Sequence, residues 1–139
     1  MHLRVAFASG DRRSIDQHFG AAGGFVIYAV DSERAKLVQV AEFAVESMDG
    51  NENKLSAKIE ALSGCAAVYC LAVGASAVRQ LVVGGIQPVR LEVPEAIETV
   101  LARIRTGIRE GGVPWIDKAL GQPKDAGRFE RMAEEGWQE

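Results

Sequence analysis

The apolar residues of this 139-residue chain change their spacing at about residue 50. Before that point, three runs rich in β-forming residues predict strands at 3–9, 25–31 and 36–45. After it, apolar runs alternate with segments whose apolar residues recur every three or four positions. The short links in the first part favour an antiparallel meander, and the helical spacing in the second part favours parallel crossovers.

The second part of the chain predicts alternating helices and strands. The segment PEAIETVLARIRTGIREGG is the clearest helix, with Pro94 at its first position and an apolar face that includes Ile97, Leu101 and Ile104. The run AAVYCLAV is continuously apolar, which is typical of a strand covered on both faces. Helices are predicted at 52–63, 75–83 and 95–110, and strands at 66–72 and 87–92.

This order of elements indicates an α/β fold with a five-stranded mixed sheet. Three strands form the antiparallel meander, two more are parallel, and helices flank the sheet, which is the ribonuclease H-like order. We assign residues 1–112 to this ribonuclease H-like domain and residues 113–139 to a short helical C-terminal tail with pieces around Trp115 and Phe129.

The composition narrows the class of protein. Hydrophobic residues make up 47% and charged residues 25% of the chain, and the formal net charge is −3. A negative net charge disfavours bulk nucleic-acid binding, which a strongly basic face would drive. Neither a secretory leader nor an apolar stretch of the roughly 20 residues that span a bilayer is present. We therefore expect a soluble, cytoplasmic protein with neither a nucleic-acid nor a membrane partner.

The polar stretch GDRRSIDQHFGAAGG, residues 10–24, is too long for a tight hairpin, and loops of this length are usually functional or disordered. It contains His18, one of two histidines in the chain, beside Gln17. A lone loop histidine could simply bond a backbone carbonyl. A neutral imidazole is also a common metal ligand, although one imidazole cannot build a closed site of about three or four ligands. It could fill one open position of a pre-assembled cluster, and we expect it to be exposed or half-exposed on a mobile loop.

Several residues around this loop suit an anionic ligand. Arg12, Arg13 and Lys54 supply positive charge near loops that could meet at one end of the sheet. The stretch GASA, with Ser76, opens a helix whose first N–H groups can receive an anion. Asn51, in MDGNENKL, either caps the following helix or contacts a ligand edge.

The two cysteines, Cys65 and Cys70, are too few for a disulfide scaffold or for the four thiolates that usually hold an Fe–S cluster. Cys70 fits a small buried hydrophobe in a strand, whereas Cys65 lies nearer a loop, where it could be exposed. Either remains a candidate co-ligand.

The sequence lacks the residue patterns of several common classes of enzyme. A two-metal nuclease needs converging carboxylates, and neither the first strand nor AAVYCLAV contains one. The sequence has no P-loop, dinucleotide fingerprint or nucleophile elbow. It therefore favours a small binding domain.

The motif DQHFG, the long stretch MDGNENKLSAKIEALSGCAAVYCLAVGASAVRQL, the proline-led third helix and the closing EEGWQE resemble the nitrogenase iron–molybdenum cofactor-binding family. That family includes NafY, NifY and the C-terminal domain of NifB. The resemblance implies a ribonuclease H-like domain whose histidine, here His18, binds the iron–molybdenum cofactor or its iron–sulfur precursor, NifB-co, as cargo.

The resemblance also implies a non-catalytic carrier. Such a protein would hold cargo between NifB and the NifEN scaffold, or on the way to apo-dinitrogenase. The anionic charge of the cluster, and of the homocitrate in the mature cofactor, would give Arg12 and Arg13 a role. Two alternatives stay open: a protein-only assembly chaperone in which His18 merely orders its loop, and a catalyst, either a metal-dependent nuclease or a redox enzyme that uses Cys65 or Cys70.

Overall fold

The computed structural model of the chain describes residues 2–43 and 52–121, with the backbone alone for 52–54. Within these ranges the elements are β1 (Leu3–Ala8), β2 (Ser14–Ile15), β3 (Gly24–Val30), β4 (Ala35–Glu42), α1 (Glu52–Ala61), β5 (Ala67–Cys70), α2 (Ala75–Val83), β6 (Gln87–Arg90), β7 (Glu95–Ala96), α3 (Ile97–Glu110) and α4 (Pro114–Ala119).

Five strands form one mixed sheet in the order β4-β3-β1-β5-β6. β1 is antiparallel to β3, which is antiparallel to β4, whereas β5 is parallel to both β1 and β6. The predicted five-stranded mixed sheet, with a three-strand meander and two parallel strands, is therefore confirmed. Several strands end earlier than predicted, and β4 stops at Glu42.

A side-chain turn explains why β3 and β4 pair as neighbours. Asp31 Oδ1 accepts hydrogen bonds from the backbone N–H groups of Glu33 and Arg34, each at 2.8 Å. The Asp31 N–H in turn donates to the Arg34 carbonyl oxygen at 2.9 Å. These bonds lower the pKa of the Asp31 carboxyl group, and they reverse the chain tightly enough for antiparallel pairing.

Apolar side chains pack on both faces of the sheet. Val5 and Phe7 of β1 belong to a core covered by α3 and α4, which we call the α3 face. Ala6 and Ala8 of the same strand belong to a second core covered by α1 and α2, the α1–α2 face. β5 divides its residues in the same way and is buried throughout, as its continuous apolar sequence predicts.

The start of α3 differs from the prediction. Pro94 was expected at its first position, but the helix begins at Ile97 with Ala96 as its N-cap. Residues Glu95 and Ala96 instead form β7, which pairs antiparallel with β2. The Ile97 N–H also donates to the Arg13 carbonyl oxygen at 2.8 Å. Hydrogen bonds to residues 13–15 therefore take the place of the helical turn that was predicted to begin at Pro94.

The first part of the predicted C-terminal tail packs on the α3 face. Ile116 of α4 is 1% exposed, and the Trp115 ring meets Tyr69 edge-on with 6.3 Å between the ring centroids. Gly107 of α3 allows this approach, because a Cβ atom there would lie 2.7 Å from Cδ1 of Ile116. The helical piece predicted around Phe129 lies outside the described residues.

None of the helices within residues 2–43 and 52–121 is both long and apolar enough to span a bilayer.

We predict that Ile116→Ala lowers the free energy of unfolding by about 2–5 kcal/mol, because it opens a cavity between α4 and the sheet. Urea denaturation followed by circular dichroism measures the change. Lys118→Ala, on the exposed side of the same short helix, is the control and should change stability by less than about 0.5 kcal/mol. Equal stabilities of the two variants would mean that α4 does not contribute to the core.

Candidate functional site

Residues 16–20, which we call the His18 loop, lie across the carboxyl ends of the two central parallel strands, β1 and β5. Three backbone hydrogen bonds hold it there. The Asp16 N–H donates to the Ala8 carbonyl oxygen at 3.2 Å, and the Phe19 N–H donates to that of Ala72 at 2.7 Å. The Leu71 N–H donates to the Gln17 carbonyl oxygen at 2.9 Å. The residues on both sides of His18 are thus bonded to the sheet or to the chain leaving it. The stretch 10–24, predicted as a long loop, is in fact tied down and includes strand β2.

Exposure alternates sharply at His18. Its side chain is exposed, whereas that of Phe19 is fully buried, with 5.3 Å between its ring centroid and that of Phe25. The aromatic residue anchors the loop in the core of the α1–α2 face and leaves the imidazole outside. Sequence reasoning did not identify Phe19 as an anchor, although a lone aromatic residue in a polar stretch was the available signal.

A lysine on α1 also contacts the loop. Lys58 Nζ donates a hydrogen bond to the carbonyl oxygen of Gly20 at 2.6 Å, and the ammonium group lies 5.9 Å from the centroid of the Phe43 ring. The Lys58 side chain is largely buried. Nothing in the sequence marks this residue, because a lysine in an amphipathic helix usually faces solvent.

A tight turn shapes the stretch before β2. Asp11 Oδ1 accepts hydrogen bonds from the N–H groups of Arg13 at 2.9 Å and Ser14 at 2.8 Å, and from Ser9 Oγ at 3.3 Å. These bonds, first of all the one from Arg13, lower the pKa of the Asp11 carboxyl group. Arg12, at the centre of the turn, has a φ of 67°, which a residue with a side chain seldom adopts.

The two arginines that were predicted to act together make different contacts. The Arg12 guanidinium group pairs with the carboxylate of Glu42 at the end of β4, and both side chains are more than half exposed. The backbone of Arg13 is bonded instead to the start of α3, and its side chain is exposed. Part of the charge of Arg12 is therefore already balanced, although weakly, as is usual for an exposed ion pair.

Helix α2 starts close to the His18 loop. Ala72, which accepts the bond from Phe19, precedes the N-cap residue Gly74 by only two positions, a separation of at most about 8 Å. The N-cap residue of α2 is Gly74, and no side-chain cap hydrogen bond is formed there within the described part of the chain. Ser76 Oγ accepts a hydrogen bond from Gln80 Nε2 at 3.3 Å, so its hydroxyl is engaged within the helix.

The remaining predicted contacts fall at different places. Gln17 is half-buried beside His18, and its Nε2 donates to Asp16 Oδ1 at 3.2 Å. Lys54 lies one helical turn before Lys58 in α1. Asn51 lies outside the described residues.

Both cysteines lie in the core of the α1–α2 face. Cys65 is 4% exposed and Cys70 is 0% exposed, and burial raises the pKa of each thiol to about 11. The expectation of an exposed Cys65 is wrong. The chain turns at Gly64, where φ is 89°, and enters the sheet at once through a bond from the Ala66 N–H to the Arg4 carbonyl oxygen at 2.7 Å. A thiol binds metal as the thiolate, which both environments disfavour.

The ligands available at this end of the sheet are few. Among residues 2–43 and 52–121, no three His, Cys, Asp or Glu side chains come together in a way that could hold a metal ion. An exposed imidazole on an anchored backbone, close to the start of α2, can supply one coordination bond, and the N–H groups of the helix start can contact an anion.

Residues 1–107 match the model of the family described as dinitrogenase iron-molybdenum cofactor. NifX of Azotobacter vinelandii is 48% identical over 139 residues, which cover 99% of this chain and 88% of that protein. The FeMo cofactor biosynthesis protein NifB of the same organism is 30% identical over 125 residues, which cover 86% of this chain and 25% of NifB. The crystal structure of PH0822 is similar with 26% identity and a TM-score of 0.57, covering 76% of this chain and 90% of that one.

We predict that the unfolding free energy falls as the pH rises from about 9 to 11, through both cysteines. The unfolded chain releases the thiol protons near pH 9, whereas the folded protein retains them to about pH 11. The stabilisation that these groups provide is therefore complete below pH 9 and is lost above it. Urea denaturation across this range measures the effect.

The control is the double variant Cys65→Ala/Cys70→Ala, which lacks this share of the fall while other groups still titrate. An identical pH dependence in the parent and the double variant would contradict the assignment of both thiols as buried and protonated.

Proposed function

This chain belongs to the dinitrogenase iron–molybdenum cofactor family, and we propose that it is a non-catalytic carrier in nitrogenase maturation. Its cargo is the iron–molybdenum cofactor or the iron–sulfur precursor NifB-co. The observation that carries the proposal is the exposed imidazole of His18 on a backbone that is hydrogen-bonded to the carboxyl ends of β1 and β5.

A single protein ligand suits cargo of this kind. An iron–sulfur cluster arrives with its own sulfides, so the protein needs to fill only an open coordination position, which an imidazole can do. One coordination bond also allows release to the next protein, whereas a closed cage of several ligands would retain the cluster. Ligation by Cys65 or Cys70 would require the core of the α1–α2 face to open, so we assign the bond to His18.

Electrostatic contacts complete the proposed site. The uncapped start of α2 at Gly74–Ser76 and the exposed Arg13 both favour an anion. We include Gln17 because it adjoins His18, Arg12 because it lies in the preceding turn, and Lys54 because it lies one helical turn before Lys58 in α1. Asn51 is included from the sequence alone. Arg12 would have to share its charge with Glu42.

The proposed partners are proteins of cofactor assembly. The relative NifB is named for FeMo cofactor biosynthesis, which supports cargo transfer from a NifB-type enzyme to a NifEN-type scaffold or to apo-dinitrogenase. We place this transfer in the cytoplasm, without nucleic acid or membrane. The strand order β4-β3-β1-β5-β6 supports the ribonuclease H-like classification of the carrier domain.

We predict that His18→Ala lowers the affinity for isolated NifB-co by about tenfold or more, since replacing even an outer-shell partner of a metal site commonly costs that much. The variant should keep its stability within about 0.5 kcal/mol, because the side chain is exposed. Anaerobic titration followed by the visible absorbance of the bound cluster, with iron and molybdenum analysis, gives the affinity.

Cys70→Ala is the matched control: it should lose about 1 kcal/mol of stability through packing and keep its affinity for the cargo. If His18→Ala binds as the parent does and a cysteine variant does not, the ligand is a thiolate. A purified protein that joins the assembly complex but never takes up the cluster would instead favour a protein-only chaperone.

We predict that replacing both Arg12 and Arg13 with Ala weakens cargo binding and reduces its salt dependence, because exposed ionic contacts are screened. Arg13→Ala alone should account for most of a change of about 0.5 kcal/mol, since Arg12 is already paired with Glu42. Titrations at low and high ionic strength test this. Unchanged affinity and salt dependence in the double variant would remove both residues from the site.

A further inference from the structure

Residues 18–22 form a compact turn that helix α1 contacts from one side. Within the turn, the Ala21 N–H donates to the His18 carbonyl oxygen at 3.2 Å and the Ala22 N–H donates to that of Phe19 at 3.3 Å. The carbonyl oxygen of Gly20 points out of this pattern and accepts the 2.6 Å bond from Lys58 Nζ.

Burying the Lys58 ammonium group costs free energy unless polar partners replace its lost hydration. Lysine side chains are almost never buried without polar partners, because removing the charge from water is unfavourable. Lys58 is 9% exposed, and its Nζ reaches across the fold to a carbonyl group 38 residues earlier in the chain. A leucine or methionine could fill a similar space but could not donate the bond to Gly20.

We propose that Lys58 is a positioning residue for His18, an inference that rests on the carrier function proposed above. The turn is held to the sheet before His18, through Gln17 and Leu71, and at Phe19, through Ala72. Lys58 holds it after His18, through a bond from helix α1. The bond therefore sets the imidazole relative to α1, where Lys54 lies one turn closer to the helix start.

A buried hydrogen bond of this kind acts through the shape of the turn. If Gly20 is released, the backbone of residues 18–22 gains freedom, and cargo binding must then order it again at the expense of affinity. Because Lys58 acts through His18, its replacement should matter only while the imidazole is present.

The test uses Lys58→Met, which keeps the length and apolar packing but removes the donor, and Lys58→Arg, which keeps a cationic donor. In the apo-protein, amide hydrogen exchange at residues 19–22 should become faster in Lys58→Met and be restored at least in part in Lys58→Arg. Affinity for isolated NifB-co should fall several-fold in Lys58→Met, with the fold shown intact by circular dichroism.

The decisive measurement is the double variant His18→Ala/Lys58→Met. If Lys58 positions His18, the second substitution causes no further loss of affinity in the His18→Ala background. Additive losses would mean that the ammonium group acts on the cargo directly, and parental exchange and affinity in Lys58→Met would mean that it positions nothing. Either result overturns the inference while leaving the carrier function intact; that function fails separately if His18→Ala alone binds NifB-co as the parent does.

Discussion

Strand β1 is paired along both edges and buried on both faces, and the rest of the structure depends on this position. It is antiparallel to β3 and parallel to β5, and Val5, Ala6, Phe7 and Ala8 are all fully buried. Helices have to cover both of its faces, because its side chains alternate between two cores. Because β1 and β5 are parallel, their carboxyl ends lie side by side at one edge of the sheet. The His18 loop begins there, so β1 determines where the site lies.

The proposed site combines a hydrogen-bonded backbone with an exposed imidazole. Phe19 and three backbone hydrogen bonds hold the loop, and the His18 side chain is exposed to solvent. The thiols of Cys65 and Cys70, which by chemical type are the usual ligands of iron–sulfur clusters, are buried in their protonated form. In the proposed site, coordination is therefore assigned to the exposed imidazole of His18. A fixed backbone reduces the entropy lost on binding, and a single bond keeps release possible, which are both useful in a carrier.

Much of the architecture could be predicted because it follows from neighbouring residues. The alternating pattern of 3–9 and the helical spacing from Ile97 to Ile104 are local, and so are the short links that require antiparallel pairing. The continuous apolar run 66–73 correctly indicated a strand buried on both faces. His18 was recognisable as a candidate ligand because it is a rare residue type in a polar stretch after the first strand. Its exposure agrees with the expectation of an at least half-exposed side chain.

Contacts between distant segments decided the rest. Strands β2 and β7 contribute two residues each, so no local period marks them, and Pro94 consequently precedes a strand and not a helix. Cys65 is buried because the chain turns at Gly64 into the sheet, and Lys58 meets Gly20 only because α1 packs against the His18 turn. The sequence by itself determined the five strands of the main sheet, the three longer helices and the residue types that could bind a cluster. The tertiary structure decided which of those residues are exposed and which are held together, because burial and long-range hydrogen bonds depend on how the layers pack.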